Sequence, residues 1–291
     1  MSSGRILVIM NPISGRRRSH HKRDRLFDCL TAAGYQLDVR QTHKAGDAKG
    51  LAASALGSTL AVMVYGGDGT VREAAGGLSG RSIPIYHLPG GNENLFARHF
   101  GMSLKPQAIL NSLARREIRR VDLVDVNGLA CTSCLGVGFD AHVVHMVHRK
   151  RTGHISDMNY AGPIAAAFLS YVFPHLEVRS AGQTVFSGQG MLFGGNLTRY
   201  AVGMPLFGRA VDDDGLLDVL VFPCRTRRRL LGDLFRTLLR RHYKSKAAIY
   251  FRTDSLEVIA DPAAACQLDG DIGPAPPLTI KVLPKSLAVL M

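Results

Sequence analysis

The sequence predicts a mixed fold, an N-terminal α/β domain followed by a C-terminal β-sandwich-like domain. Short apolar runs alternate with helix-patterned segments through about the first 120 residues. Beyond Arg120, short β-rich runs follow one another, separated by Gly, Asn, Asp and Pro. The 291 residues suffice for two domains. We expect the first at 1–123, where residues 285–291 can complete it, and the second at 124–284.

The first half of the chain carries the pattern of consecutive β and α elements. Strands are predicted at RILVIM, YQLDVRQT, LAVMVY and IPIYHLP. Helices are predicted between them at Arg16–Gly34, at Asp47–Leu56 and after Gly69. Because consecutive strands separated by helices pair in parallel, this half predicts a mostly parallel sheet.

The second half has the sequence pattern of an antiparallel sandwich or barrel. Its β-rich runs are VDLVDVNG, LACTSCLGVGF, LEVRSAG, QTVFSGQGMLFGGN, LLDVLVF, AIYFRTDSLEVIA and LTIKVLP. Helix-like insertions interrupt them at about 141–173 and 226–241. The change from alternating strand and helix patterns to consecutive β-rich runs predicts a domain boundary near residues 122–126.

Charge and cysteine content restrict the cellular setting. The formal net charge of +13 and the pI near 9.9 favour an acidic partner, such as nucleic acid, nucleotide phosphate or an anionic membrane. Five scattered cysteines favour a reducing compartment, with Cys131 and Cys134 as a reduced structural pair. The most apolar of the long segments, Tyr160–Phe173, is too short to span a bilayer, which needs about 20 residues.

Three turns rich in Gly or Asn follow predicted strands of the first domain. They are NPISG at Asn11–Gly15, GGDGT at Gly66–Thr70 and PGGNEN at Pro89–Asn94. Glycines let a phosphate approach the backbone, and the N-terminus of a following helix attracts negative charge. Asp68 is unusual there, because a carboxylate beside phosphate requires a metal ion or a proton to transfer. A tight turn capped by Asp68 is the alternative.

Six motifs in order resemble the diacylglycerol kinase catalytic-domain family, which contains bacterial lipid kinases, sphingosine kinases and ceramide kinase. They are NPISG, GGDGT, LPGGNENLFAR, GVGFDA, DDGLLDV and LDGD. The resemblance covers essentially the whole chain. It implies a three-layer α/β nucleotide-binding domain like that of phosphofructokinase and NAD kinase, a β-rich lipid domain, and transfer of the ATP γ-phosphate to a lipid hydroxyl with Mg²⁺.

The same resemblance implies site residues. Those expected to contact ATP are Asn11, Thr42, Gly66, Gly67, Asp68, Gly69, Thr70, Arg72, Glu73 and Asn92. Asp271 is the expected general base, where the family usually has Glu, and Asp269 is the first acid of that motif. Asp68 is the competing candidate, as base or as Mg²⁺ ligand. This chain departs from the family at Arg72, at Asn92 where Thr is usual, and at Leu95 where Asp is usual.

A second cation site is also implied by the resemblance. Bacterial relatives hold a structural Mg²⁺ with an acid before Gly and two main-chain carbonyls, which map to Asp214, Val211 and Leu216. A solvated acidic hairpin turn is the alternative reading of this segment.

The segment 225–246 combines an apolar helical stripe with bordering arginines. Such a helix either packs on a sheet or lies on anionic lipid, and we favour packing with a basic face toward the membrane. The expected partners are ATP, a lipid and, peripherally, an anionic membrane surface. Nucleic acid is not expected, since no nucleic-acid motif is present, and homodimerisation stays open. The expected location is the cytoplasm, at the inner face of the membrane.

Two other functions compete with a lipid kinase. A soluble NAD kinase-like enzyme is the first, because GGDGT also resembles the NAD kinase signature. A nucleotide-binding or lipid-binding module without catalysis is the second, in view of the departures at Arg72, Asn92, Leu95 and Asp271.

Overall fold

The computed structural model describes residues 4–15, 17–149, 161–200, 204, 206–239 and 248–291. These residues form two compact units, one made of the described residues up to Leu123 together with Pro284–Met291 and the other of those within Val124–Leu283. Parts of the predicted insertions at 141–173 and 226–241 lie outside the described residues. Among the described residues, no helix combines the length and the apolar character that a membrane span requires.

The first unit is an α/β domain, as predicted. Its parallel strands are β1 (Arg5–Met10), β2 (Gln36–Gln41), β3 (Thr59–Gly66) and β4 (Ile85–Pro89), in the order β4-β3-β1-β2. The helices are α1 (Arg17–Ala32), α2 (Asp47–Ala53), α3 (Asp68–Leu78), α4 (Leu95–His99) and α5 (Pro106–Arg115). Residues Ala61–Tyr65 of β3 have no exposed surface. Burial on both faces explains why the central strands read as unbroken apolar runs.

Two strands belong partly to each unit. They are β5 (Ile118–Val126) and β15 (Leu278–Leu290). Within the first unit, Val289 of β15 pairs in parallel with Ile85 of β4. The C-terminal residues thus complete the parallel sheet.

The second unit is a β-sandwich-like domain. Its strands are β6 (Leu129–Cys131), β7 (Cys134–Val137), β8 (His175–Ser180), β9 (Gln183–Gly195), β10 (Leu217–Pro223), β11 (Ile249–Thr253), β12 (Ser255–Asp261), β13 (Cys266–Leu268) and β14 (Asp271–Ile272). The long strand β9 pairs with β8 in its first half and with β7 and β10 in its second. The helices are α6 (Phe139–Arg149), α7 (Ala161–Ser170) and α8 (Arg227–Leu238).

Candidate phosphate-binding turns and candidate acid site

The Gly66–Thr70 turn joins β3 to α3. A Cβ at Gly66 would lie 2.6 Å from Thr70 Oγ1, so only glycine fits there without displacing that hydroxyl. Gly67 is the extended N-cap residue, and Asp68 begins the helix. The first N–H groups of α3 have no partner within the helix, which makes its N-terminus suited to an anion.

The turn after β4 packs against the turn after β3, backbone to backbone. Gly90 N–H donates to the carbonyl of Gly66 at 2.9 Å. A Cβ at Gly91 would lie 2.6 Å from Cα of Gly67, whereas one at Gly67 would lie 3.5 Å from Cα of Gly91. The close approach of the two chains therefore requires glycine at position 91 specifically.

Asn11 connects the turn after β1 with the turn after β3, and Thr42 connects the end of β2 with the end of β1. Asn11 Nδ2 donates to Thr70 Oγ1 at 3.2 Å, and its main-chain N–H donates to the carbonyl of Tyr65 at 2.9 Å. Thr42 is buried, and its N–H donates to the carbonyl of Met10 at 3.0 Å. The structure thus brings the three predicted turns together at the carboxyl ends of β1, β3 and β4, where open α/β sheets bind ligands.

The remaining predicted residues of this unit take different positions. Asp68 is buried, and its Oδ1 accepts the N–H of Phe96 in α4 at 3.1 Å. Glu73 accepts the N–H groups of Gly46 and Ala48 at 2.8 and 3.3 Å, so its carboxylate caps α2. Arg72 is buried and Asn92 is exposed. A contact of Glu73, Arg72 or Asn92 with a nucleotide stays a prediction.

Two residues that hold these turns were missed by the sequence analysis. The Asn94 amide accepts from Gly91 N–H and donates to Gly91 O, each at 2.8 Å, with Asn94 itself at φ 49°. His87 of β4 is fully buried, and its Nε2 lies 3.0 Å from Gly66 O. Burial lowers the pKa of His87 from its ordinary 6.5 to about 4, so the neutral ring donates to that carbonyl at neutral pH.

Asp269 lies in a turn of the second unit where donors surround its carboxylate. Oδ2 accepts the N–H and the hydroxyl of Thr132 at 2.8 and 2.9 Å. Oδ1 accepts the N–H groups of Ser133 and Cys134 at 2.8 and 2.9 Å, and the thiol of Cys131 lies 3.6 Å away. These donors occupy the acceptor positions of the carboxylate, so the geometry fits a positioning role better than proton transfer.

Asp271 has a more open environment. Its side chain is about one third exposed, and its Oδ1 lies 3.7 Å from His148 Nε2. The same His148 nitrogen lies 3.4 Å from the carbonyl oxygen of Gly270. Of the two acids in LDGD, Asp271 is therefore the one that a substrate hydroxyl could reach.

A buried polar network supports the turn that carries both acids. Gln267 Oε1 accepts Gly270 N–H at 2.8 Å, and Gln267 Nε2 lies 3.3 Å from both Asp140 Oδ2 and the Tyr200 hydroxyl. Tyr200 donates to the same Asp140 oxygen. Burial raises the pKa of Asp140 and of Tyr200. The GVGFDA motif contains Asp140, but no sequence signal connects it with Gln267.

The predicted structural Mg²⁺ site looks different from the expectation. Asp214 Oδ2 pairs with Arg252, and its Oδ1 accepts the N–H of Leu216 at 3.1 Å, while Val211 is exposed. The described residues contain no group of three or more His, Cys, Asp or Glu side chains able to hold a metal. With its carboxylate on a guanidinium, Asp214 does not fit a divalent cation in this arrangement.

The sequence profiles of two domains match the chain. "Diacylglycerol kinase catalytic domain" matches residues 5–126, and "YegS C-terminal NAD kinase beta sandwich-like domain" matches residues 133–291.

Individual proteins are similar over nearly the full length. "Probable lipid kinase YegS-like" of Pseudomonas aeruginosa is 30% identical, over 99% of this chain and 95% of its own. "Diacylglycerol kinase" of Mycobacterium tuberculosis is 28% identical over the same shares. The crystal structure of a putative diacylglycerol kinase from Bacillus anthracis superposes with a TM-score of 0.77 at 20% identity, over 100% of this chain and 98% of that one. That last similarity concerns the fold alone.

Proposed function

The chain belongs to the family of diacylglycerol kinases and YegS-like lipid kinases, and from this we propose that it transfers the γ-phosphate of ATP to a lipid hydroxyl. The observation that carries the proposal is the meeting of three turns at the N-terminus of α3, joined by the Asn11–Thr70 and Gly90–Gly66 hydrogen bonds. Backbone N–H groups and a helix N-terminus are what phosphate groups bind.

We assign the nucleotide to these turns. The N–H groups from Gly67 to Thr70 bind phosphate oxygens, with Asn11 holding the Thr70 hydroxyl in place. Nucleotide-bound Mg²⁺ typically has one or two protein carboxylates and several waters, so the single carboxylate of Asp68 fits that requirement. When bound, Mg²⁺ neutralises charge on the phosphates.

Asp271 acts as the general base in this proposal. The lipid oxygen forms a bond to the γ-phosphorus, the bond from that phosphorus to the β,γ-bridging oxygen breaks, and ADP leaves. The hydroxyl proton passes to the Asp271 carboxylate. Asp269 fixes the turn through its hydrogen bonds to residues 131–134 and does not itself take the proton.

The proposed setting is the cytoplasm, at the inner face of the membrane. ATP is the co-substrate, and an acceptor lipid embedded in a bilayer requires the enzyme to work at the bilayer surface. The net charge of +13 favours an anionic surface. Diacylglycerol is the first acceptor to test, since the relative from Mycobacterium tuberculosis is named a diacylglycerol kinase.

The test is transfer of label from [γ-³²P]ATP with Mg²⁺ to diacylglycerol, to an extracted total-lipid mixture in mixed micelles and, separately, to NAD. We expect a labelled lipid that is absent with Asp68→Ala, whose folding circular dichroism verifies. Label in NAD alone would favour the NAD kinase-like alternative. Label in neither acceptor would favour a non-catalytic binding module.

A further inference from the structure

Helices α7 and α8 of the second unit, with the residues directly after them, carry exposed large apolar side chains. We define the α7–α8 surface by six exposed large side chains, Leu169, Val172, Leu231, Leu234, Phe235 and Leu239. Leu169, Val172 and Phe235 are 70%, 68% and 62% exposed. Several large apolar side chains exposed on neighbouring segments are typical of a binding surface rather than of a packed core.

Direct contacts hold the two segments together. Arg227 donates from Nε to the carbonyl of Phe168 at 2.9 Å and from Nη2 to that of Leu169 at 2.6 Å. A groove of about 640 Å³ runs beside this contact, lined by Tyr171, Val172, Phe173 and Arg225–Arg228. The end of α7, with Leu169 and Val172, therefore lies directly beside the start of α8 and its arginines.

Packing of α8 does not account for its apolar stripe. On the inward face, Leu230 is buried, and the buried Asp233 accepts from Arg229 and Arg236 at 3.0 and 3.1 Å. Leu231 and Phe235 lie on the opposite side of the helix, Leu234 lies at the edge of the inward face one turn after Leu230, and all three are exposed. The sequence predicts a packed helix with a basic face toward the membrane, and among the described side chains of the stripe only Leu230 is buried.

The charges around this surface favour an anionic partner. Arg225 and Arg228 are exposed at the start of α8, and the acid of that helix, Asp233, is already neutralised by two arginines. Apolar side chains flanked by arginines suit insertion at the boundary between lipid head groups and acyl chains. Arginines beside them bind the phosphates of anionic lipids.

We propose that the α7–α8 surface docks on an anionic lipid bilayer, with Leu234 and Phe235 inserted and Arg225 and Arg228 on the head groups. This inference rests on the proposed function, because an enzyme with a lipid acceptor has to reach the bilayer. The α7–α8 surface would make the contact with the bilayer, and it contains none of the proposed catalytic residues.

Flotation with phosphatidylcholine vesicles, with and without phosphatidylglycerol, tests the proposal in the absence of ATP. The full-length wild-type chain should bind the phosphatidylglycerol vesicles, and Leu234→Ser/Phe235→Ser should weaken binding at least about tenfold. Leu56→Ser/Ile259→Ser, at two exposed apolar positions elsewhere, should bind as wild type. Arg225→Gln/Arg228→Gln should lose most of the response to phosphatidylglycerol, whereas Arg115→Gln/Arg120→Gln should keep it.

Activity on a water-soluble short-chain diacylglycerol separates this inference from the proposed function. We expect the Leu234→Ser/Phe235→Ser variant to keep wild-type turnover on that acceptor while losing vesicle binding. Unchanged vesicle binding in the variant overturns the docking surface and leaves the kinase proposal standing. A change in oligomeric size on gel filtration, with vesicle binding unchanged, assigns the surface to self-association and also overturns it. If wild type phosphorylates no lipid, the proposed kinase activity is refuted. The flotation experiment still shows whether the α7–α8 surface binds the bilayer.

Discussion

The side chain of Gln267 accepts the main-chain N–H of Gly270 at 2.8 Å, and this bond holds the turn between Asp269 and Asp271. Asp269 and Gly270 both have left-handed conformations, with φ of 51° and 84°. Two successive residues in that region form a tight turn that needs support. The position of the proposed base Asp271 therefore depends on a side chain from β13.

Replacing that side chain should slow turnover without removing the base. Gln267→Met preserves volume but removes the acceptor of Gly270 N–H and one donor to Asp140, which keeps the Tyr200 hydroxyl, at about 1 kcal/mol for each hydrogen bond lost. We expect kcat to fall about tenfold or more, with KM for ATP unchanged, in steady-state assays. Gln107→Met, at an exposed position of α5, should match wild type. Wild-type kcat for Gln267→Met would show that the turn does not need this bond.

The contact between the two glycine turns makes a second prediction. Gly91→Ala should lower thermal stability, because its Cβ would lie 2.6 Å from Cα of Gly67. Gly67→Ala should leave stability nearly unchanged, since its Cβ meets Cα of Gly91 at 3.5 Å. Both substitutions should weaken ATP binding, measured by calorimetry. Gly91→Ala would displace the turn, and Gly67→Ala would obstruct the phosphate. Equal melting temperatures for the two variants would contradict this geometry.

His87 makes stability depend on pH in a defined window. Its pKa is about 4 when folded, against 6.5 ordinarily, so the unfolded chain binds more protons between these values. Stability contributed by the neutral ring is therefore present above about pH 6.5 and is lost as pH falls toward 4, by up to about 3 kcal/mol.

Urea denaturation across that pH range measures the effect. His87→Gln retains a donor toward Gly66 and cannot titrate, so its stability should fall less between pH 6.5 and 4 than that of wild type. His21→Gln, at an exposed position, should follow wild type. The same pH dependence in all three proteins would mean that the buried ring is not responsible.

The acidic loop at Asp214 gives a prediction about Mg²⁺. If this carboxylate and the carbonyls of Val211 and Leu216 do hold a cation, Arg252 has to leave it first. Arg252→Gln should then increase the stabilisation by Mg²⁺ in nucleotide-free melting experiments, toward about 2.7 kcal/mol at a hundredfold excess over Kd. Asp214→Asn should abolish it. If Mg²⁺ does not change the melting temperature of wild type or of either variant, Asp214 forms the ion pair with Arg252 and binds no cation.

Much of the fold was predictable because burial leaves a local pattern in the chain. Strand β3 is buried on both faces and therefore reads as an apolar run, and the short strands of the second unit are separated by turn residues. Helix ends were less certain. The helix predicted at Asp47–Leu56 ends at Ala53, and the predicted insertion at 141–173 contains two separate helices in its described part.

The candidate sites were predictable where a motif is local and not where packing creates them. The turns at Asn11, Gly66 and Gly91 carry Gly and Asn, whose conformational properties are visible in the sequence. The contact of Gln267 with Asp140 joins residues 127 positions apart, and that of His148 with Gly270 joins residues 122 apart. Both result from α6 packing on β13 and β14, which no local pattern specifies.

We propose that Asp271 removes the proton from the lipid hydroxyl, while Asp269 only holds the turn. The most direct measurement compares kcat, ATP affinity and melting temperature for Asp271→Asn and Asp269→Asn. We predict that Asp271→Asn binds ATP and melts as wild type but loses at least about 100-fold in kcat. Asp269→Asn should melt lower, because its amide group would face the N–H donors of Thr132, Ser133 and Cys134. Wild-type kcat for Asp271→Asn would show that Asp271 is not the general base.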